Sequence, residues 1–173
     1  MDRCEECGFV YDLTRAEEAG AAIVASVTEL AGLLRDGGPE LCTRRAPQTW
    51  SALEYGCHVR DVLLVQRERA LLARRSDRPV AEPMGRDERV DHDGYADQAP
   101  DDVARQLMDA ARLFANVLSR LGPDWDRTLH YTYPEPRERS LRWLAVHTLH
   151  EARHHLSDAR RQVSAGQPST TAE

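Results

Sequence analysis

The chain has 173 residues, 41 % of them apolar and 6 % aromatic, and carries a net charge of −6. That suits one helical domain with an appendage and argues against a partner bound through nucleic-acid phosphates. All 23 basic residues are arginine, which excludes lysine Schiff-base chemistry and a Walker-type phosphate loop.

The start of the chain, Met1 to Val10, is acidic and carries Cys4 and Cys7, unlike a secretory leader. No apolar run reaches the roughly 18–20 residues that span a bilayer. The expected setting is the cytoplasm, away from membranes, where cysteines are thiols or metal ligands before they are disulfides. Residues 1–13 read as an N-terminal extension around Cys4-Glu5-Glu6-Cys7.

The first helix is expected over 14–36, opened by a capping box at Thr14-Arg15-Ala16-Glu17 and stopped by Gly37-Gly38-Pro39. Ile23, Val27, Leu30 and Leu34 give it a bundle seam. The second, over 51–75, opens on a second capping box, Ser51 to Glu54, just after Trp50. A polar stretch with Pro79, Pro83, Gly85 and Gly94 follows, too long for an ordinary loop; it reads as a crossover or lid. The third helix is expected over 100–121, with Val103, Leu107, Ala110, Phe114, Val117 and Leu121 facing inward. A linker leads to the fourth, over 140–164, and residues 165–173 read as a disordered tail. The fold expected is all-α: a four-helix bundle over 14–164 with a long crossover between its second and third helices.

Four of the seven histidines fall in the fourth helix: His147, His150, His154 and His155. A pair four residues apart, such as His150 and His154, stacks on one helix face and can offer two nitrogens to one ion. His58, midway along the second helix, is a third candidate, with Asp61 one turn on as its orienter or as a ligand itself; alone, His58 reads more readily as a core histidine than as a ligand. His150-Glu151-Ala152-Arg153-His154 also spells HExxH, but the chain offers no suitable third protease ligand beyond it.

The Trp50-Ser51 opening, Glu54-Tyr55-x-x-His58-x-x-Asp61, and His150-x-x-x-His154-His155 together resemble the DinB-like superfamily, which includes mycothiol-dependent maleylpyruvate isomerases and bacillithiol transferases. The resemblance covers about residues 14–164. It implies up-down-down-up connectivity and one divalent metal held by three histidines, which carry over to His58, His150 and His154. It also implies a low-molecular-weight thiol, with mycothiol the first choice, held on the metal as thiolate. Zinc is the first choice of metal, with nickel or iron the alternatives.

On that basis the expected function is S-transfer or isomerisation on a small electrophilic substrate. The alternative is a non-catalytic metal-binding, stress-response or regulatory module of the same fold, distinguished by whether a cavity opens beside the metal. Asp61 and His147 are catalytic candidates. Arg60, Arg142 and Arg153 are candidates for binding carboxylates of the thiol or substrate. Cys4 and Cys7 could be a surface pair, a redox pair, or ligands of a second metal or of the same one. Cys57 reads as a small core residue. The expected partners are small molecules, not nucleic acid, and a homodimer is left open.

Overall fold

The computed structural model describes residues 2–132 and 135–164. The expected tail over 165–173 lies outside the described residues. Five α-helices are present among them: α1 (Ala19–Asp36), α2 (Ala52–Arg75), α3 (Arg86–His92), α4 (Pro100–Leu118) and α5 (Leu141–Ser164). The four long ones form a bundle. The short α3 lies in the crossover between α2 and α4.

Each long helix forms where the sequence places an apolar stripe. In α1 the stripe Ile23, Val27, Leu30 and Leu34 is buried; in α4 it is Val103, Leu107, Ala110, Phe114 and Val117. The Ser51 capping box forms as expected. Ser51 Oγ accepts from the Glu54 amide at 3.2 Å, and the Glu54 carboxylate accepts from the Ser51 amide at 2.7 Å. The Thr14 box does not form. Asp12 accepts both the Thr14 amide and its hydroxyl, at 3.0 and 2.6 Å, so the Thr14 oxygen donates instead of capping. The chain from Leu13 to Glu18 is a 3₁₀ turn leading into α1.

α1 and α2 each pack against both α4 and α5, so sequence neighbours α1 and α2 sit diagonally. This order places α2 beside α5, the two helices that carry the candidate ligands. At Gly56 the diagonal closes: a Cβ there would lie 2.7 Å from Leu34 Cδ1 of α1.

The all-α expectation omits a small three-stranded sheet, ordered β1-β2-β3, from β1 (Val80–Ala81), β2 (Thr128–Tyr131) and β3 (Arg137–Ser140). β1 runs parallel to β2, pairing Val80 with His130 and Ala81 with Tyr131; β2 and β3 are antiparallel, pairing Thr128 with Ser140. The strands lie in the two connections, not in the helices, so the bundle stands. They fasten the crossover to the segment entering α5. Four residues are too few for a strong period-two signal, although Leu129 and Tyr131 do alternate inward. Among the described residues no helix is long and apolar enough to cross a membrane.

Candidate metal centre

Helix α5 is started by Ser140, whose hydroxyl accepts the Trp143 amide at 3.2 Å. From there six histidine and carboxylate side chains follow: His147, His150, Glu151, His154, His155 and Asp158. A helix turns about 100° per residue. The pairs His150/His154 and Glu151/His155 therefore occupy adjoining stripes, and the structure gives each stripe a different partner.

Glu151 and His155 meet His58 of α2, with one ligating atom from each lying within 4.8 Å of the others. His58 is 1 % exposed, and neither ring nitrogen has a hydrogen-bond partner. Its Nε2 is 3.9 Å from Glu151 Oε2, too long for a hydrogen bond. His155 Nε2 lies 3.6 Å from the same oxygen, while its Nδ1 meets Asp158 Oδ2 at 2.8 Å. Asp158 thus fixes the ring so that Nε2 faces Glu151 and His58.

The electrostatics suit a cation. Burial alone would raise the Glu151 carboxyl, but His150, His155 and His58 hold it well below the usual range. Burial would lower His155, yet Asp158 and Glu151 lift it to about 9. Burial keeps His58 lowered. A half-buried carboxylate therefore faces two imidazoles, one of them orphaned. A divalent ion between the three would replace the His155 proton as counter-charge and satisfy His58. Two histidines and a glutamate form a donor set used by open, catalytic zinc sites.

His150 and His154 turn to the N-terminal segment instead, where their ligating atoms and the thiols of Cys4 and Cys7 all lie within 4.8 Å of one another. His150 Nδ1 is 3.0 Å from the Tyr11 hydroxyl and 3.2 Å from Glu151 Oε1. The Cys7 backbone amide brings the Cys4 thiol down to about 7 against the cost of burial, with His150 assisting; burial pushes Cys7 up. The two groups touch through the adjacent residues His150 and Glu151.

A cavity of about 630 Å³ opens beside the first group, with His58, His147 and Glu151 in its wall. Tyr131, Trp143, Pro83 and Met84 supply apolar surface; Arg69, Arg86 and Arg139 supply positive charge, and Asp2, Asp87 and Glu88 supply negative charge. Arg139 stacks over Trp143 and Arg69 over Tyr131, at 4.7 and 5.2 Å from the ring centroids. His147 lies flat on Trp143 with centroids 4.4 Å apart; it meets the Tyr11 hydroxyl through Nδ1, and burial pushes it down to about 4.

The expected trio His58, His150 and His154 is not brought together. Among the described residues, no set of ligating atoms within 4.8 Å joins His58 to His150 or His154. The partners of His58 lie one residue further along α5, one helical step of about 100° away. Of the catalytic candidates, His147 is in the cavity wall and Asp61 is not. Asp61 is buried under Arg60 Nε, Arg89 Nη1 and the Tyr95 hydroxyl, at 2.8, 3.1 and 2.6 Å. The three proposed carboxylate-binding arginines also lie elsewhere. Arg60 anchors Asp61, Gln98 and Gln106; Arg142 pairs with Asp126 and Glu17; Arg153 lies over Phe9. Cys57 is a buried core thiol, raised to about 12 by desolvation.

Arg69, Arg86 and Arg139 were not singled out by the sequence; Glu151 entered only through HExxH, His155 only as a fourth-helix histidine, and Asp158 only as a rejected protease ligand, none of them as a ligand or orienter of this centre. One signal for the ligands was present. Cys4, Cys7, His150 and His154 make a complete four-ligand set, which leaves Glu151-x-x-x-His155, at the same spacing, for His58.

The model of one protein family, the DinB superfamily, matches residues 20–159. The chain is also similar in structure to YfiT from Bacillus subtilis, described as a probable metal-dependent hydrolase with an unusual four-helix bundle topology. The TM-score is 0.76 at 12 % identity, covering 94 % of this chain and 93 % of that one. No curated protein matches the chain.

Proposed function

The chain belongs to the DinB superfamily, and on that footing we propose that it is a divalent-metal-dependent enzyme that hydrolyses a small anionic substrate at His58, Glu151 and His155. The observation that carries the proposal is the buried, unpartnered His58 beside Glu151 and His155, at the wall of a cavity of about 630 Å³. A filled bundle mouth would have favoured a non-catalytic module; an open cavity of this size supports an enzyme.

A divalent ion bound there supplies a Lewis acid and lowers the pKa of a coordinated water or thiol. The protein's own groups do the rest. His58, Glu151 and His155 hold the ion, and Asp158 orients His155. Arg69 and Arg139, stacked on aromatic rings, present fixed positive charge to an anionic group of the substrate. Trp143 and Tyr131 exclude water from its apolar part. His147, uncharged at neutral pH, offers a hydrogen bond at the wall.

Water is the preferred nucleophile because of Glu151. Its carboxylate halves the net charge of the centre relative to three imidazoles, which weakens the field that would hold a thiolate. The description of YfiT as a probable metal-dependent hydrolase supports the same reading. S-transfer or isomerisation with a metal-bound thiol such as mycothiol is the second reading, favoured by a cavity roomy enough for a conjugate.

The test compares metal-loaded and chelated protein on small esters and amides carrying a carboxylate. Metal-dependent hydrolysis is expected, abolished in His58→Ala. In Arg139→Ala, KM should rise about 10–100-fold, the size of one lost charge-assisted contact. Absence of turnover in protein that retains the ion contradicts hydrolysis. In cobalt-loaded Cys4→Ser/Cys7→Ser protein, a sulfur-to-metal band on adding a thiol would then favour the second reading.

A further inference from the structure

We infer that Cys4, Cys7, His150 and His154 form a second metal site, a closed tetrahedral zinc centre that fastens the N-terminal segment to α5. It shares no ligand with the His58 centre. Its role is to build the wall of the cavity rather than to do chemistry in it.

Three observations converge on this site. The four ligating atoms lie within 4.8 Å of one another without an ion. A zinc ion bound by two sulfurs at about 2.3 Å and two nitrogens at about 2.0–2.1 Å sets ligand separations of about 3.3–3.8 Å. The gap therefore closes with small side-chain movements. Second, His150 Nε2 and His154 Nδ1 are buried and have no hydrogen-bond partner. The opposite nitrogen of His150 is hydrogen-bonded, and that of His154 faces two carboxylates. His150 Nδ1 meets Tyr11 and Glu151 at 3.0 and 3.2 Å, and His154 Nε2 faces Asp158 and Glu6, both at 3.5 Å. The orphaned nitrogen of each ring is thus the one left free for an ion, the arrangement expected of metal-binding histidines, whose other nitrogen is held by a neighbouring group.

Third, the backbone around the cysteines is shaped as a knuckle. The Gly8 amide bonds the Cys4 carbonyl at 2.9 Å, and the Cys4 amide bonds the Phe9 carbonyl at 2.9 Å. Gly8 takes φ +74°, a conformation that a side chain would strain. The turn brings both thiols of Cys4-x-x-Cys7 to one side.

Four protein ligands leave no open position, which is the pattern of a structural site. The consequence for the cavity is direct. Asp2 and Tyr11, at either end of this segment, line it. Tyr11 also bonds His147 through its hydroxyl at 3.0 Å. With the ion in place the segment is pinned to α5 through its two thiolates, and the hydrogen bond from Tyr11 to His147 is held.

The test uses the full chain with zinc and with cobalt. Wild-type protein should bind two equivalents of zinc. His58→Ala should retain one, and X-ray absorption of that variant should fit two sulfurs and two nitrogens. Cys4→Ser/Cys7→Ser should also retain one, with no sulfur neighbour. The cobalt form of His58→Ala should show a thiolate band before any thiol is added. Chelation should make the bond after Arg3 open to trypsin. An absorption spectrum of His58→Ala zinc with no sulfur overturns the proposal. A Cys4–Cys7 disulfide in freshly purified protein holding a single equivalent does the same. Because His58→Ala empties the first centre, this site can stand if the proposed activity fails.

Discussion

At the scale of single residues, the chemistry turns on a shift of one position along α5. The His150/His154 spacing points to a metal pair, and the structure does group those two with ligating partners, but with cysteines and not with His58. What a lone sequence does not carry is the rotation of α5 about its axis relative to α2, and that rotation decides which of two stripes meets His58. Asp158 matters here because it fixes His155 at 2.8 Å. Asp158→Asn keeps an acceptor but removes the charge that makes the imidazole a stronger donor. The affinity of the His58 centre, titrated in Cys4→Ser/Cys7→Ser protein, should fall about tenfold or more while helicity is unchanged. Unchanged affinity would show that Asp158 does not orient the ligand.

Asp61, legible as a special residue but not for its role, gives a pH prediction. Burial alone would raise its carboxyl; hydrogen bonds from Arg60 and Tyr95, with the charges of Arg60 and Arg89, outweigh burial and hold it below the ordinary value. A depressed carboxyl contributes stability in full above its unfolded pKa of about 3.9, and the contribution is lost as pH falls through the lower folded value. Asp61→Asn leaves Arg60 buried without its counter-ion and should cost about 3–5 kcal/mol near neutral pH. The loss should shrink below about pH 4. Urea midpoints of both proteins across pH 2.5–7 would test this, and a gap that stays constant into acid would count against the assignment.

At the scale of elements, the four long helices were readable because each has an apolar stripe with a recognisable end. The Ser51–Glu54 cap formed as written, whereas Thr14 lost its cap to Asp12 two residues earlier. Strands of two and four residues escaped because their pairing is set by the crossover meeting the segment before α5. The diagonal approach of α1 and α2 at Gly56 was invisible too, since a helical glycine reads only as a weak helix former. Gly56→Ala sets a helix-propensity gain of about 0.5–1 kcal/mol against overpacking of about 1–3 kcal/mol. Leu34, 1 % exposed, has little room to yield. The net expectation is destabilisation of about 1 kcal/mol, a fall of about 2–4 °C in Tm. Calorimetry showing a rise in Tm would mean that the two helices have slack at this point.

At the scale of the whole molecule, function follows from helix order. Because α1 and α2 are diagonal, α2 lies against α5 along its length, and His58 comes to face Glu151 and His155. The long crossover then supplies Pro83, Met84 and Arg86 to the cavity, the sheet supplies Tyr131 and Arg139, and the N-terminal segment supplies Tyr11. Those contributions come from three separated parts of the chain, which is why the bundle was legible in the sequence and the cavity was not. The measurement that tests the central claim most directly is an anomalous-difference map at the zinc edge from crystals of the zinc-loaded full chain. A peak bounded by His58, Glu151 and His155, with ligand distances of about 2.0–2.2 Å, is the result predicted. A map with no density between those residues, or with His58 sharing an ion with His150 and His154, would contradict it.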